Sequence, residues 1–143
     1  MGNPLAVEDS FGPRVLQRIR AAFDLPDVDL LDAHTDLLGH IDRLASYPLV
    51  VIVDALLDPA GKVAAAGSLV ILDEVRLLSL PDEAHSIHQI SPVVALKLFR
   101  QLYPDAVTRI VLVAFCASEV QFRGTLKEDT IAQAANEVLR LVA

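Results

Sequence analysis

Apolar residues recur along the chain in two alternating rhythms, one of helical period and one of unbroken short runs. From Phe11 the residues Phe11, Val15, Ile19, Ala22 and Phe23 fall at helical spacing, with Arg14, Gln17, Arg18 and Arg20 opposite them and Pro13 in the tolerated first turn. This predicts a helix ending near Asp24, ahead of Pro26. Residues 28–33 have the length and composition of a short strand. Thr35 is placed to cap a helix whose inner face is Leu37, Leu38, Ile41, Leu44 and Ala45. After Pro48 the run Leu49-Val50-Val51-Ile52-Val53 is continuous and β-branched, as in a strand buried on both faces, and Asp54 is expected to end it.

The second half repeats the alternation. Pro59-Ala60-Gly61 predicts a turn, and residues 62–75 read as one extended, bent strand with Gly67 inside it. A polar loop with Pro81, Asp82, Glu83, His85 and His88 follows. Ser91-Pro92 supplies a cap and a first-turn proline for a helix reaching about Tyr103, with Val94, Leu98 and Leu102 on one stripe. Residues 107–115 form another apolar strand, and Thr125-Leu126-Lys127-Glu128 has the form of a capping box for a last helix with Ile131, Ala134, Ala135, Val138, Leu139 and Val142 inward. Strands buried on both faces alternating with amphipathic helices predict an α/β fold, a three-layer α/β/α sandwich around a mainly parallel, mixed sheet. Such sheets bind ligands beyond the carboxyl ends of their strands.

The 143 residues fit one domain spanning 1–143, large enough to bury a core without staples. A single cysteine, Cys116, excludes a disulfide framework and a Cys-rich zinc site, and is expected to pack as a small hydrophobe. Twelve Lys and Arg against 19 Asp and Glu leave a net charge of −7, and the scattered basic residues argue against a nucleic-acid partner. No apolar run has the length of a membrane span and no secretory leader pattern opens the chain, so a cytoplasmic protein with no membrane partner is the expectation. Met1-Gly2 lacks the Ser or Thr at position six that myristoylation requires.

Three places carry candidate chemistry: the acidic pair Glu8-Asp9, Asp54 at the end of the most apolar strand, and His88 in the loop before a helix. A carboxylate directly after five apolar residues is costly unless something satisfies it. Two carboxylates and an imidazole brought together suit a divalent metal such as nickel or zinc. Each has an ordinary alternative: an Asp after a strand caps the next turn, acidic residues ahead of a helix complement its dipole, and a loop histidine is solvated, even in the H-x-x-H of His85 and His88. His34, at a strand-to-helix turn, and His40, on a helix face toward solvent, have weaker claims. No Ser or Cys nucleophile motif, phosphate-binding loop or dinucleotide fingerprint is present.

The order of these features is more specific than any one of them. Gly2-Asn3, four residues, Glu8-Asp9, then Ser10-Phe11-Gly12-Pro13 resembles the opening of the nickel-iron hydrogenase maturation proteases. Asp32-Ala33-His34-Thr35 resembles that family's Asp-Gly-Gly-Thr turn, Val53-Asp54-Ala55 its Val-Asp-Ala, and Ser86-Ile87-His88 its Ser-x-His. The resemblance implies an endopeptidase that removes a C-terminal extension from the hydrogenase large-subunit precursor after nickel insertion. It has no cofactor of its own, the nickel arriving with the substrate. Carried over, Asp9, Asp54 and His88 are the catalytic and nickel-contacting residues, with Glu8 supporting them and Asp32 at the site edge.

Two departures from the family pattern accompany the resemblance. His34 stands where the family has Gly, a residue that reaches positive φ more readily. The family's apolar strand running straight into Gly-Asn has no counterpart before Gly2-Asn3, so the 49–53 strand is expected to lack one neighbour. Two other readings accompany the protease: a non-catalytic chaperone that binds a hydrogenase subunit, and a hydrolase holding its own zinc.

Overall fold

The computed structural model describes residues 1–80, 85–86, 92–121 and 123–143. Its centre is a pair of nine-residue strands, β1 (Leu49–Leu57) and β4 (Arg109–Ala117), paired in parallel from Leu49 opposite Arg109 to Leu57 opposite Ala117. β2 (Leu69–Asp73) lies antiparallel on the far side of β4, and the short β3 (His85–Ser86) lies antiparallel to Leu56 and Leu57. The order β2-β4-β1-β3 is thus a mixed sheet whose longest pairing is parallel.

Helices cover both faces, as the alternating pattern requires. On one face α1 (Phe11–Ala22) and α5 (Glu128–Val142) bury Phe11, Val15, Ile19, Ile131, Ala134 and Val138 against Val113 and Phe115. The Phe11 and Phe115 rings lie 5.6 Å apart in a tilted pair. On the other face α2 (Ile41–Leu44), α3 (Glu74–Leu78) and α4 (Pro92–Leu102) pack Ile41, Leu44, Leu77, Leu96 and Phe99 against Ile52, Leu72, Ile110 and Leu112. Full burial of each such side chain contributes about 1.5–3 kcal/mol, so the two clusters hold the layers together. Arg100 of α4 pairs in bidentate fashion with Glu74 of α3, at 2.7 and 2.6 Å, and donates to the Ala106 and Thr108 carbonyls, tying the α4–β4 connection to α3.

Several local expectations change. β1 does not stop at Asp54 but continues to Leu57, because β4 and β3 supply partners beyond the apolar run. Residues 62–75 are not one strand: Asp58 gathers the backbone of Lys62, Val63 and Ala64 into a loop, and only Leu69–Asp73 pairs before α3 begins with Asp73 as its cap. Asp36, not Thr35, accepts the Gly39 N–H ahead of a short 3-10 turn, and α5 begins at Glu128 with no side-chain cap from Thr125. The buried face of α4 is Pro92, Ala95, Leu96 and Phe99, which leaves Val94 and Leu102 exposed. Phe23 is partly exposed beyond α1, and residues 28–33 run beside the sheet without joining a ladder. No helix among the described residues is long and apolar enough to cross a membrane.

Candidate active site

Gly2 is required where it stands. Its φ is +132°, and a Cβ there would lie 1.9 Å from the Asp9 carbonyl oxygen, so any other residue would push the opening loop off the turn carrying Asp9. That turn is a 3-10 segment, Glu8–Ser10, all three residues of which are buried. Asp9 accepts the Asn3 N–H on Oδ2 at 2.8 Å, which folds the Gly2-Asn3 loop around its carboxylate. Gly12 serves closeness of a second kind: a Cβ would meet the Met1 carbonyl oxygen at 2.0 Å and the Val53 carbonyl oxygen at 2.7 Å. The start of α1 therefore packs directly on Met1 and the sheet.

Asp54 is 1% exposed inside β1, and its Oδ1 accepts the Ala55 N–H at 2.9 Å. An ionised carboxylate at this depth is tolerated only among compensating groups. Beside it lies the Met1 amino group, which donates to the Val53 carbonyl at 2.5 Å. Burial pushes the pKa of this amine down, while the negative charges of Asp54, Asp32 and Asp9 act on it in the opposite sense. The charges of three carboxylates singled out in the sequence are thus all felt at the first residue of the chain.

Glu8 has another task. Its Oε2 accepts the Gln121 N–H at 2.7 Å, and the Val7 N–H donates to the Gln121 carbonyl, so Glu8 clamps the β4–α5 loop onto the opening turn. Asp32 accepts the His34 N–H at 3.0 Å in a tight turn in which His34 takes φ +50°. His34 therefore adopts the left-handed conformation that the expected Gly would supply, with its ring exposed. The Gly2 N–H donates to the His34 carbonyl at 2.6 Å, which brings this turn alongside the opening loop.

His88 lies outside the described residues. His85 enters β3 beside Leu57, three residues beyond Asp54 on β1. Among the described residues no group of three His, Cys, Asp or Glu side chains is arranged to hold a metal ion. Asp58 escaped the sequence reading. It is buried, and although burial opposes its ionised form, the N–H groups of Val63, Ala64, Lys62 and Gly61 hold its pKa below the ordinary value. Its place directly after a buried strand was the available signal. Cys116 is buried as expected, its pKa raised to about 11, first by burial and then by the charge of Asp58, which leaves an unreactive thiol.

No family model and no curated protein matches the chain. Solved structures do. A hydrogenase maturating endopeptidase HybD from E. coli superposes with a TM-score of 0.79 at 23% identity, over 99% of this chain and 87% of that one. The fold is shared with solved hydrogenase maturation endopeptidases. HybD from Thermococcus kodakarensis gives 0.76 at 20% identity, covering 99% and 95%, and HycI from the same organism gives 0.65 at 24%, covering 99% and 85%. The α/β architecture is therefore shared over nearly the whole chain.

Proposed function

We propose that the protein is an endopeptidase of hydrogenase maturation, removing the C-terminal extension of a nickel-loaded large-subunit precursor. The observation that supports the reading is that Asp9, in the opening turn, and Asp54, inside β1, are both buried and both act electrostatically on Met1, in a fold found in endopeptidases of that name. Buried carboxylates with an imidazole are a suitable ligand set for a borderline divalent metal, and His88 is the imidazole expected to join them. The nickel belongs to the substrate, so the enzyme docks only where the metal has already been inserted, and cleavage waits for insertion.

In this reading Asp9 and Asp54 contact the nickel as carboxylates and His88 as a neutral ring, so engagement weakens as pH falls. Glu8 keeps the β4–α5 loop against the turn that carries Asp9. Asp32 borders the site through the His34 turn. The protein needs no cofactor of its own, and its partner is the large-subunit precursor in the cytoplasm, with no nucleic acid or membrane involved.

The test is to incubate nickel-loaded precursor with the protein and weigh the large subunit. A shortened subunit with the wild type, and the full-length mass with Asp54→Asn or His88→Ala that still fold by circular dichroism, is expected. Full-length precursor after incubation with the wild type, under conditions in which an established maturation endopeptidase cleaves it, would overturn the proposal.

A further inference from the structure

Among the described residues His34 is the one non-glycine residue in the left-handed region, at φ +50°. Glycine reaches this backbone without a Cβ penalty, so a histidine here keeps a cost that the fold does not require. Such a cost is retained where a side chain has work at a site. Within the chain the ring has little. Its side chain is 77% exposed, its Nδ1 lies 3.7 Å from Asp32 Oδ1, beyond hydrogen-bond distance, and among the described residues the ring makes no hydrogen bond. The turn is closed by main-chain donors instead, the His34 N–H to Asp32 and the Asp36 N–H to the Ala33 carbonyl. Any residue that accepts the φ would close it equally.

The position of the turn is more telling. The Gly2 N–H donates to the His34 carbonyl at 2.6 Å, and a Cβ on Gly2 would lie 3.0 Å from Asp9 Oδ1. One glycine therefore separates the His34 peptide from the Asp9 carboxylate. Asp9 and Asp54 are 6% and 1% exposed, whereas the His34 ring stands in solvent. The carboxylates lie at the floor of the site and the imidazole on its rim.

We propose that His34 is a substrate-contacting residue of the cleavage reaction, its imidazole hydrogen-bonding a peptide group of the precursor beside the bond that is cut. The inference rests on the endopeptidase reading above. A neutral imidazole presents one donor and one acceptor, the complement of the C=O and N–H of an extended peptide. The ring does not join the carboxylates around a metal, because no three His, Cys, Asp or Glu side chains among the described residues are grouped as ligands, Asp9, Asp32 and Asp54 included. A precursor that brings its metal down to buried carboxylates carries its polypeptide across the rim, and the ring meets it there.

Steady-state cleavage of nickel-loaded precursor by the wild type, His34→Gly and His34→Asn, with urea denaturation of each, tests the assignment. Glycine keeps the backbone and removes the ring. Asparagine tolerates the same φ and restores a donor and an acceptor. His34→Gly is expected to raise KM about three- to tenfold with kcat within about twofold of the wild type, as when binding is lost equally from ground and transition states. Its urea midpoint should be no lower than the wild type's, and His34→Asn should recover most of the KM. A wild-type KM in His34→Gly, an equal rise in both variants, or a midpoint that falls along with activity overturns the inference and leaves the endopeptidase reading standing. Absence of cleavage by the wild type overturns that reading and this inference with it.

Discussion

β1 and β4 are nine-residue apolar strands paired with each other in register, yet eight of nine β4 residues are buried and only four of β1 are. The difference lies in their neighbours. β4 has a strand on each side, whereas among the described residues β1 has β4 along its whole length and β3 only at Leu56 and Leu57. Burial in β1 accordingly rises toward Asp54, Ala55 and Leu56 and falls toward Leu49, which lines an apolar cavity. A continuous apolar run specifies a central strand, but the strand becomes central only when both ladders are filled.

The largest expected effect follows from replacing Gly12 by Ala, whose Cβ would overlap Met1 and the Val53 carbonyl. It should cost about 3 kcal/mol or more in urea denaturation, by forcing α1 away from Val53 of β1. An unchanged midpoint would mean that this contact is slack. Next, Leu112→Ala in β4, at 2% exposure, should cost about 2–5 kcal/mol, against about 1 kcal/mol or less for Leu49→Ala at the half-buried start of β1. Equal losses would break the contrast between the strands.

A pH effect sharpens the contrast at the Met1 end. The folded amine has a pKa below its ordinary value of 8.0, so between the two values the unfolded chain binds more protons. This contribution to stability should rise with pH through that window and level off above 8.0, and N-terminal acetylation should abolish it, as chemical denaturation across pH would record. A slope that survives acetylation must come from other groups. The smallest effect is His34→Gly: relief of the left-handed backbone, partly offset by the entropy of glycine, should stabilise by about 1 kcal/mol or less. A loss of stability would show that the His34 ring makes contacts that matter.

The sheet and both helical layers were legible in the sequence, because apolar period sets layers, whereas Asp9, Asp32 and Asp54 were grouped there only through a family resemblance. Errors came where side chains commandeer the backbone. Asp58 turns a strand-like stretch into a loop by accepting three N–H groups of the chain that follows it, and Asp36 displaces Thr35 as the helix-starting acceptor. The α4 stripe was misplaced because α4 is apolar on more than one side, so periodicity left its inward face open. His34 takes positive φ without being a glycine, in a turn closed by its N–H donating to Asp32 Oδ1. Pattern reports what a segment prefers, and the neighbours decide whether the preference is met.

The most direct test of the functional account compares one precursor in two states. Large-subunit precursor loaded with nickel and the same precursor stripped of it are incubated side by side with the protein and weighed by mass spectrometry. The account predicts that only the loaded precursor loses its C-terminal extension. Cleavage of both forms, or of neither while an established maturation endopeptidase cleaves the loaded one, would contradict it.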